Sequence, residues 1–406
     1  MKQYSTREDA MKVDAETKNL GLRGISVADT MISHVDGEAG RLIYRGYDIG
    51  DLAEHSSYEE VTYLLVFGHL PTLSELHEFH GRLAERRRLT PWQIASLRDL
   101  HPDTPPMAVL QAMAAALAAD DPLPGDASKE AERERAVQLV GAMAALTAGW
   151  HRIRRGLDPV EDRPSAAALG HAADFLRLLH GTDPDPALTR ALETALVLHV
   201  DHSMNASTFT ARTVTSTRAS IYAAVSAALG ALSGELHGGA NARVMEMLQK
   251  IGSIDRVEDY VRTTLAEGGR IMGMGHAVYR TDDPRAVILR GMSERLGRDM
   301  GDVSWFQMTE EVEKVTRRAF RENKSADIYP NVDMYSASLY HMMGLPTDLF
   351  TPVFAISRIA GWAAHVIEER FAEAAQKPQL YRPASDYVGR YCGREACSYE
   401  PLEARA

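Results

Sequence analysis

The chain has 406 residues, of which 45% are hydrophobic and 25% charged, and its formal net charge is −11 at pH 7. The length predicts two domains, because single hydrophobic cores stop growing at roughly 250–300 residues. The negative charge argues against proteins that bind nucleic acid or anionic membranes through a basic face, although a local group of arginines and histidines could still hold a small anion.

The N-terminal part of the chain is polar and is followed by one hairpin. The first twenty residues contain no apolar signal core, which predicts a cytoplasmic protein. Thr30–Val35 and Leu42–Tyr44 favour strands, and Asp36-Gly37 between them favours a turn, although the loop is longer than the tightest type. Strand signals elsewhere are few, so at most a small N-terminal β-hairpin is expected.

Helix signals dominate the rest of the chain. Ser57 with Glu60, and Thr72 with Glu75, each predict a capping box at a helix start, and Gly68 predicts a helix end between them. Further helices are predicted at Met107–Ala119, Ala136–Trp150, Ala187–His199, Ile221–Leu232 and Thr351–Phe371. The fold class is therefore predicted to be all-α. We find no run of roughly 18 apolar residues and predict no membrane span.

Four segments carry histidine, arginine or aspartate in settings that plain helical structure does not require. Arginines at Arg358 and Arg382 join them from the C-terminal region. The four segments are HVDHSMNASTF at His199–Phe209, SGELHGGAN at Ser233–Asn241, GMGHAVYRTDDPR at Gly273–Arg285 and YPNVDMYS at Tyr329–Ser336.

His237 and His276 both lie beside glycines. Gly238-Gly239 after His237 would let a ligand approach closely, but a histidine facing the dipole at a helix C-terminus is the simpler interpretation of that segment alone. The Gly-Met-Gly turn before His276 could present N–H groups to an anion, or could be an ordinary surface turn. Neither histidine identifies a site by itself.

Asp333 follows Pro330-Asn331 in an apolar and aromatic stretch. A carboxylate that loses its hydration there would have a raised pKa, which suits a general base. The same aspartate could instead be the N-cap of a helix over Met334–Met343, and the local sequence favours that second interpretation.

A zinc site is a further interpretation of the histidines. His199 and His202 are three residues apart, which would put them on one side of a helix, and His237 could be a third ligand. A histidine trio without neighbouring Cys or Glu ligand pairs is weak support for catalytic zinc. We therefore predict no metal site.

Together, these segments resemble the citrate synthases, specifically the shorter dimeric type of archaea and many bacteria. The resemblance covers roughly Gly21 to Gly389 and includes, in family order and spacing, GLRGISVADT, VDGEAGRLIYRGYDIGDLAEHSSYEEVTYLL, DHSMNASTFTAR, LHGGAN, GHAVYRTDDPRA, YPNVDMYS, DLFTPVFAISRIAGWAAHVIE and RPASDY. It implies an all-α homodimer with a large domain, residues 1–237 and 344–406, and a small inserted domain, residues 238–343. The active site would lie in the cleft between the domains and close by their rotation.

The resemblance also implies a catalytic trio of His237, His276 and Asp333. Asp333 would remove a proton from the acetyl methyl group of acetyl-CoA, and His237 would donate a hydrogen bond to the thioester oxygen as charge develops there. His276 would polarise the ketone of oxaloacetate and protonate the new alkoxide.

The same resemblance implies the substrate contacts. His202, Arg285 and Arg358 would bind oxaloacetate, together with Arg382 of the partner subunit, because guanidinium groups match carboxylates bidentately. The CoA contacts implied are Gly273, Met274, Gly275, Arg280, Lys324 and Asn331. No resident cofactor is expected, since acetyl-CoA is a substrate and CoA a product. Membrane and nucleic acid are not expected partners.

Three alternatives remain at this stage. A 2-methylcitrate synthase would use the same residues on propionyl-CoA, and one extra methylene in a pocket is worth only ~1–3 kcal/mol; Val35-Asp36-Gly37 favours citrate synthases proper. A non-catalytic helical scaffold predicts that at least one of the catalytic trio is lost, and all three are present. A DNA-binding helical protein predicts a Lys/Arg stripe, which the sequence lacks. Cys392 and Cys397 are predicted to be inert thiols of a protein from a reducing compartment, with a tail disulfide or redox role as the alternative.

Overall fold

The computed structural model describes residues 21–22, 24–161, 163–387 and 401–404. These residues form sixteen α-helices and one small sheet, so the prediction of an all-α fold is confirmed. The helices are α1 (Ile49–His55), α2 (Tyr58–Phe67), α3 (Leu73–Arg86), α4 (Pro91–Asp99), α5 (Pro106–Ala116), α6 (Lys129–Ile153), α7 (His171–His180), α8 (Pro186–His199), α9 (Ala206–Ser216), α10 (Ile221–Leu232), α11 (Ala240–Ile251), α12 (Val257–Ala266), α13 (Pro284–Asp299), α14 (Ser304–Lys324), α15 (Val332–Met342) and α16 (Phe350–Phe371).

The predicted hairpin is present and carries one strand more than expected. β1 (Ser33–Asp36) and β2 (Arg41–Tyr44) pair antiparallel, and the two-residue β3 (Tyr47–Asp48) pairs with β2. The hairpin turn supports a distant loop, because the carbonyl of Gly37 accepts a hydrogen bond from the backbone N–H of Arg280 at 2.9 Å. A side chain at Gly37 would collide with the backbone of Val278, so the glycine permits this contact.

The predicted helix starts are confirmed in one case and half confirmed in the other. Thr72 and Glu75 form the reciprocal capping box of α3. Ser57 caps α2 by accepting from the N–H of Glu60, but the Glu60 carboxylate accepts from the hydroxyl of Ser56 at 2.6 Å instead of returning to Ser57. Gly68 ends α2 with φ 95°, as predicted.

Helix α16 lies at the centre of the molecule. By length and composition the segment Thr347–Phe371 could cross a membrane, although polar side chains interrupt its apolar sequence. Its apolar window is wholly buried inside the described part of the chain, as expected for the core helix of a globular protein. Polar side chains on the same helix, including Arg358 and His365, are buried with it.

Two groups of helices share one continuous apolar cluster. Helices α11 to α15 pack mainly on one another, while α16 packs on α2, α6, α8, α9 and α10. Contacts of α13 and α15 with α8, and of α11 with α16, join the groups where the predicted site residues lie. The division into domains at 1–237, 238–343 and 344–406 stays a prediction, and Cys392 and Cys397 lie outside the described residues.

Candidate active site

His202 lies in the turn between α8 and α9. Helix α8 ends at His199, so the prediction that His199 and His202 share one helical face is wrong. The Nδ1 atom of His199 instead hydrogen-bonds the carbonyl of Ala195 at 2.7 Å. His202 is half-buried, and its Nε2 atom lies 3.3 Å from the hydroxyl of Tyr279.

His237 lies in the turn after α10, not on the helix, so its interpretation as a helix-terminal histidine is wrong. Its Nε2 atom accepts a hydrogen bond from the backbone N–H of Ser207 at 3.2 Å and lies 2.8 Å from the Ser207 hydroxyl. Because Nε2 is an acceptor, the neutral ring carries its proton on Nδ1. A side chain at Gly238 would collide with Leu232, which explains why glycine follows this histidine.

His276 is oriented by its own loop. Its Nδ1 atom accepts hydrogen bonds from the backbone N–H groups of Val278 at 2.9 Å and Tyr279 at 3.0 Å. The neutral ring therefore carries its proton on Nε2. The ring centroid lies 5.3 Å from that of His202 and 4.7 Å from that of Tyr279, so three aromatic rings from two segments form one cluster.

Asp333 is in the first turn of α15 and is not its N-cap. Asn331 is the N-cap, and its Oδ1 atom accepts from the backbone N–H of Asp333 at 3.0 Å. The same Asn331 side chain donates to the carbonyl of Gly275 at 2.9 Å, so one residue ties the glycine loop to the start of α15. Because Asn331 caps the helix, the interpretation of Asp333 as the N-cap is wrong.

The charges of Arg285 and Arg358 act on the four side chains just described. Arg358, 1% exposed, donates from Nε to the carbonyl of His199 at 2.7 Å, and its charge acts on both His237 and Asp333. Arg285, 3% exposed, acts on His202, His276 and Asp333. Its Nε and Nη2 atoms donate to the carboxylate of the fully buried Asp283 at 3.0 and 2.7 Å. That ion pair fixes the plane of the guanidinium group while Asp283 offsets its buried charge.

Burial sets the protonation states of the trio. It lowers the pKa of His237 to about 4, with Arg358 acting in the same direction, and lowers the pKa of His276 to about 4 with Arg285. Burial raises the pKa of Asp333 to about 6, against the opposing charges of Arg285 and Arg358. At neutral pH Asp333 is therefore a carboxylate, and His237 and His276 are neutral rings that each carry one N–H.

The structure brings together four of the six predicted CoA residues. Gly273, Met274, Lys324 and Asn331 line a cavity of about 460 Å³ between α11, α14 and the glycine loop. Gly273 and Gly275 have φ of 79° and 88°, a conformation that favours glycine. The N–H groups of Met274 and Gly275 donate to carbonyls of Ile271 and Tyr329, so they are already used within the protein.

Two predicted cations lie apart from this cluster. Arg280 is exposed beside the hairpin turn and does not line the cavity. Arg382 is exposed in the extended segment after α16, and its charge is not among those that shift the pKa of His202, His237, His276 or Asp333 in the described part of the chain. Among the described residues, no group of three or more His, Cys, Asp or Glu side chains is arranged to hold a metal ion.

Comparison with known proteins identifies the family of the chain. The family model described as "Citrate synthase, C-terminal domain" matches residues 21–384. The chain belongs to the citrate synthase family. It is 42% identical to the citrate synthase of Haloferax volcanii over 95% of this chain and 98% of that protein. It is also 36% identical to the 2-methylcitrate synthase of Shewanella oneidensis over 91% of this chain and 94% of that protein.

Solved citrate synthase structures have the same fold. The enzyme of Pyrobaculum aerophilum superposes with a TM-score of 0.85 at 37% identity, covering 95% of each chain. The enzyme of Thermoplasma acidophilum, solved in a ternary complex with carboxymethyl coenzyme A and oxaloacetate, superposes with a TM-score of 0.83 at 30% identity, covering 95% of this chain and 99% of that one. Membership of this family makes the chain an enzyme of the acyltransferase type.

Sequence reasoning missed three residues that the structure brings to the site: Tyr279, Asp283 and Ser207. Asp283 had a readable signal, because an aspartate two residues before an arginine at a helix start can both cap the helix and pair with the arginine; here it does both. Ser207 and Tyr279 had none, since their partners are 30 and 77 residues away in the chain.

Proposed function

We propose that this enzyme condenses acetyl-CoA with oxaloacetate and then hydrolyses the thioester, releasing citrate and CoA. The observation that carries the proposal is the protonation pattern of the trio: one carboxylate with a pKa raised to about 6, beside two neutral imidazoles whose free N–H groups are fixed by the hydrogen bonds of their other nitrogens.

The first step is removal of a proton from the acetyl methyl group. Asp333 takes the proton, and the C–H electron pair becomes the enol double bond while the thioester oxygen gains negative charge. Nδ1–H of His237 donates to that oxygen, which stabilises the charge where it develops. The raised pKa of Asp333 suits this role, because it brings the base closer to the acidity of a weak carbon acid.

The second step forms the carbon–carbon bond. The nucleophilic carbon of the enol attacks the ketone carbon of oxaloacetate, and Nε2–H of His276 donates to the ketone oxygen and gives its proton to the alkoxide. The proton that Asp333 took from the acetyl methyl group then replaces the one lost by His276, which returns Asp333 to the carboxylate and His276 to the neutral ring. Arg285, Arg358 and His202 hold the two carboxylates of oxaloacetate, with Arg382 of the partner subunit. Buried guanidinium groups with fixed planes suit this task, since they lose little freedom when the substrate binds.

The last step is hydrolysis of the citryl-CoA thioester. Water adds to the thioester carbon, the carbon–sulfur bond breaks, and CoA leaves as the thiol. CoA binds in the cavity lined by Gly273, Met274, Lys324 and Asn331, with the reactive end directed to Asp333. Support for this direction is that Asn331 lies both in the cavity wall and at the start of the helix that carries Asp333.

Release of free thiol tests the reaction. We expect thiol to appear on mixing the protein with acetyl-CoA and oxaloacetate, and not when either is omitted. If no member of a panel of short acyl-CoAs releases thiol with oxaloacetate, the chain is a non-catalytic scaffold on this fold and the proposal is wrong.

Propionyl-CoA is the second candidate substrate, and the 36% identity to a 2-methylcitrate synthase supports including it. The two candidates share every residue of the trio, so the discrimination rests on pocket size. Side-by-side kcat/KM for acetyl-CoA and propionyl-CoA decides between them, and we expect the larger value for acetyl-CoA. We further propose that the enzyme is a cytoplasmic homodimer with shared active sites and no resident cofactor.

A further inference from the structure

A network of polar groups, buried except for the half-buried Tyr381, runs behind the site and takes no part in the proposed chemistry. It begins in β1 and passes through the turn that carries His202. It then crosses helix α16 and ends on the segment that carries Arg382. Its members are Ser33, Asp201, His365, Arg212, Glu368, Glu369 and Tyr381.

Asp201 immediately precedes His202, and its Oδ2 atom is held by two hydrogen bonds while Oδ1 faces His365. Its carboxylate accepts from the hydroxyl of Ser33 and from the backbone N–H of Ser203 at 2.8 Å. Its own backbone is bonded to the hydroxyl of Tyr44, which donates to the Asp201 carbonyl at 2.8 Å. Although burial acts in the opposite direction, His365, Arg358 and Ser33 hold the pKa of Asp201 below its usual value, so it is a buried carboxylate.

His365 bridges this carboxylate to a buried arginine. Its Nε2 atom lies 3.3 Å from Oδ1 of Asp201, and its Nδ1 atom lies 3.1 Å from Nη1 of Arg212. Arginine is only a donor, so Nδ1 is the acceptor and the imidazole proton is on Nε2, facing Asp201. No part of the His365 side chain reaches solvent, and Oε2 of Glu368 also lies 3.9 Å from Nδ1, so the ring is enclosed by Asp201, Arg212 and Glu368.

Arg212 carries the connection to the C-terminal segment. It pairs with Glu368 at 2.6 Å and with Glu369 at 2.7 Å. The hydroxyl of Tyr381 donates to the same Glu369 carboxylate at 2.7 Å, and the Tyr381 ring stacks on Phe209. Tyr381 is the residue before Arg382, so the network ends next to that arginine.

The sequence of helix α16 permits the close contact between His365 and Asp201. Arg358, Gly361 and His365 follow one another at spacings of three and four residues, which places them on one face. A side chain at Gly361 would collide with the carbonyl of Val200 and come within 2.8 Å of Oδ1 of Asp201. The glycine therefore lets α16 approach the turn closely enough for His365 to reach Asp201.

We propose that His365 is a positioning residue for oxaloacetate, which through Asp201 holds the turn carrying His202 and through Arg212 and Glu369 holds the segment carrying Arg382. One buried side chain thereby supports His202 in the site of its own subunit and Arg382 in the site of the partner subunit. The inference rests on the proposed function, because it takes oxaloacetate to be the ligand of His202 and Arg382.

Replacement of His365 tests the inference, because it should change the KM for oxaloacetate much more than the KM for acetyl-CoA. His365→Leu is expected to raise the KM and the calorimetric Kd for oxaloacetate by about tenfold or more, the usual cost of losing hydrogen bonds to charged groups, with KM for acetyl-CoA changed less than about twofold. His365→Gln, which can donate to Asp201 and accept from Arg212, is expected to restore most of the affinity. Equal changes in both KM values, or no rescue by glutamine, would mean that His365 only supports the core.

Single-limb variants keep the test valid if His365→Leu does not fold. Ser33→Ala removes a hydroxyl that bonds both Asp201 and the backbone N–H of Ser203, and so weakens only the limb to His202. Tyr381→Phe removes the hydrogen bond to Glu369 and so weakens only the limb to Arg382 while keeping the ring. Each is expected to raise the oxaloacetate Kd by about threefold to tenfold. The effect of Tyr381→Phe should vanish in an Arg382→Ala background, and persistence of its full effect there would overturn the second limb.

Tyr222→Phe is the matched control, because it also removes a buried tyrosine hydroxyl, here one that donates to Gln138 at 2.6 Å away from the site. It is expected to leave the oxaloacetate Kd unchanged. An oxaloacetate Kd that stays unchanged in both single-limb variants contradicts the inference. Failure of the proposed function has a different signature, since the unaltered protein would then neither bind oxaloacetate nor release thiol.

Discussion

The proposed oxaloacetate side and the proposed coenzyme side of the site are built differently. On the oxaloacetate side, Arg285 and Arg358 are nearly fully buried, and each makes hydrogen bonds to the protein. On the coenzyme side, Lys324 is exposed and lies 4.5 Å from the ring centroid of Phe320, and much of the cavity wall is glycine-loop backbone. The arginines of the first side are fixed in direction before a ligand binds, whereas the lysine of the second side is exposed to solvent.

The difference follows from the two ligands. A small dianion can be gripped only by charges already desolvated and fixed in direction, because it has little apolar surface to contribute. A large coenzyme can bind through shape and backbone contacts, so an individual exposed cation contributes little. Substitutions on the oxaloacetate side should therefore lower activity far more than substitutions on the coenzyme side.

Removal of the base should have the largest effect. Asp333→Ala is expected to lower kcat by about a thousandfold or more, the upper part of the range for a general base, while calorimetric binding of oxaloacetate stays within a few fold. Exchange of the acetyl methyl protons with deuterated water should stop as well. Turnover near that of the unaltered enzyme would show that another group is the base.

Loss of Arg382 should rank second. Arg382→Ala is expected to raise KM for oxaloacetate by roughly a hundredfold, as for removal of one partner from a desolvated charge pair. Mixed dimers with an inactive His276→Ala chain should recover part of the activity, because one of their two sites would then be complete. Absence of recovery would assign Arg382 to its own subunit; Lys377→Ala, an exposed cation in the same segment, is the control.

The pH dependence of kcat/KM should reflect the titration of the buried Asp333. Asp333 acts as the carboxylate, and burial raises its pKa to about 6, so kcat/KM should fall about tenfold for each pH unit below that value. Burial lowers the pKa of His237 and His276 to about 4, so both stay neutral through this range. An acid limb in Asp333→Asn with the same midpoint would assign the titration to another group.

Substitutions on the exposed coenzyme side should change the kinetic constants least. Lys324→Ala is expected to raise KM for acetyl-CoA by about threefold, with the difference shrinking at high salt, because exposed charges are screened. Arg280→Ala, outside the cavity, should change KM less. A larger change for Arg280 would place the coenzyme phosphates beside the hairpin turn instead.

The sequence predicts the trio and the arginines because their motifs keep family order, but it could not assign their local contacts. Asp333 had the residue type and place of an N-cap, and only the structure shows that Asn331 caps the helix, because its amide also bonds Gly275 across the loop. Their spacing predicts that His199 and His202 share a helical face, and nothing in the sequence shows that α8 ends at His199. His365 gave no signal, because both of its partners come from distant segments.

The place of α16 in chain order has a consequence for biosynthesis. The helix that fills the middle of the core leaves the ribosome after every other long helix described here. Until it emerges, the apolar faces of α2, α6, α8, α9 and α10 that receive it lack their common partner, and the nascent protein carries a wide, unoccupied trough. Stalled translation before Phe350 should therefore yield chains that chaperones retain, whereas chains released beyond Phe371 should escape them.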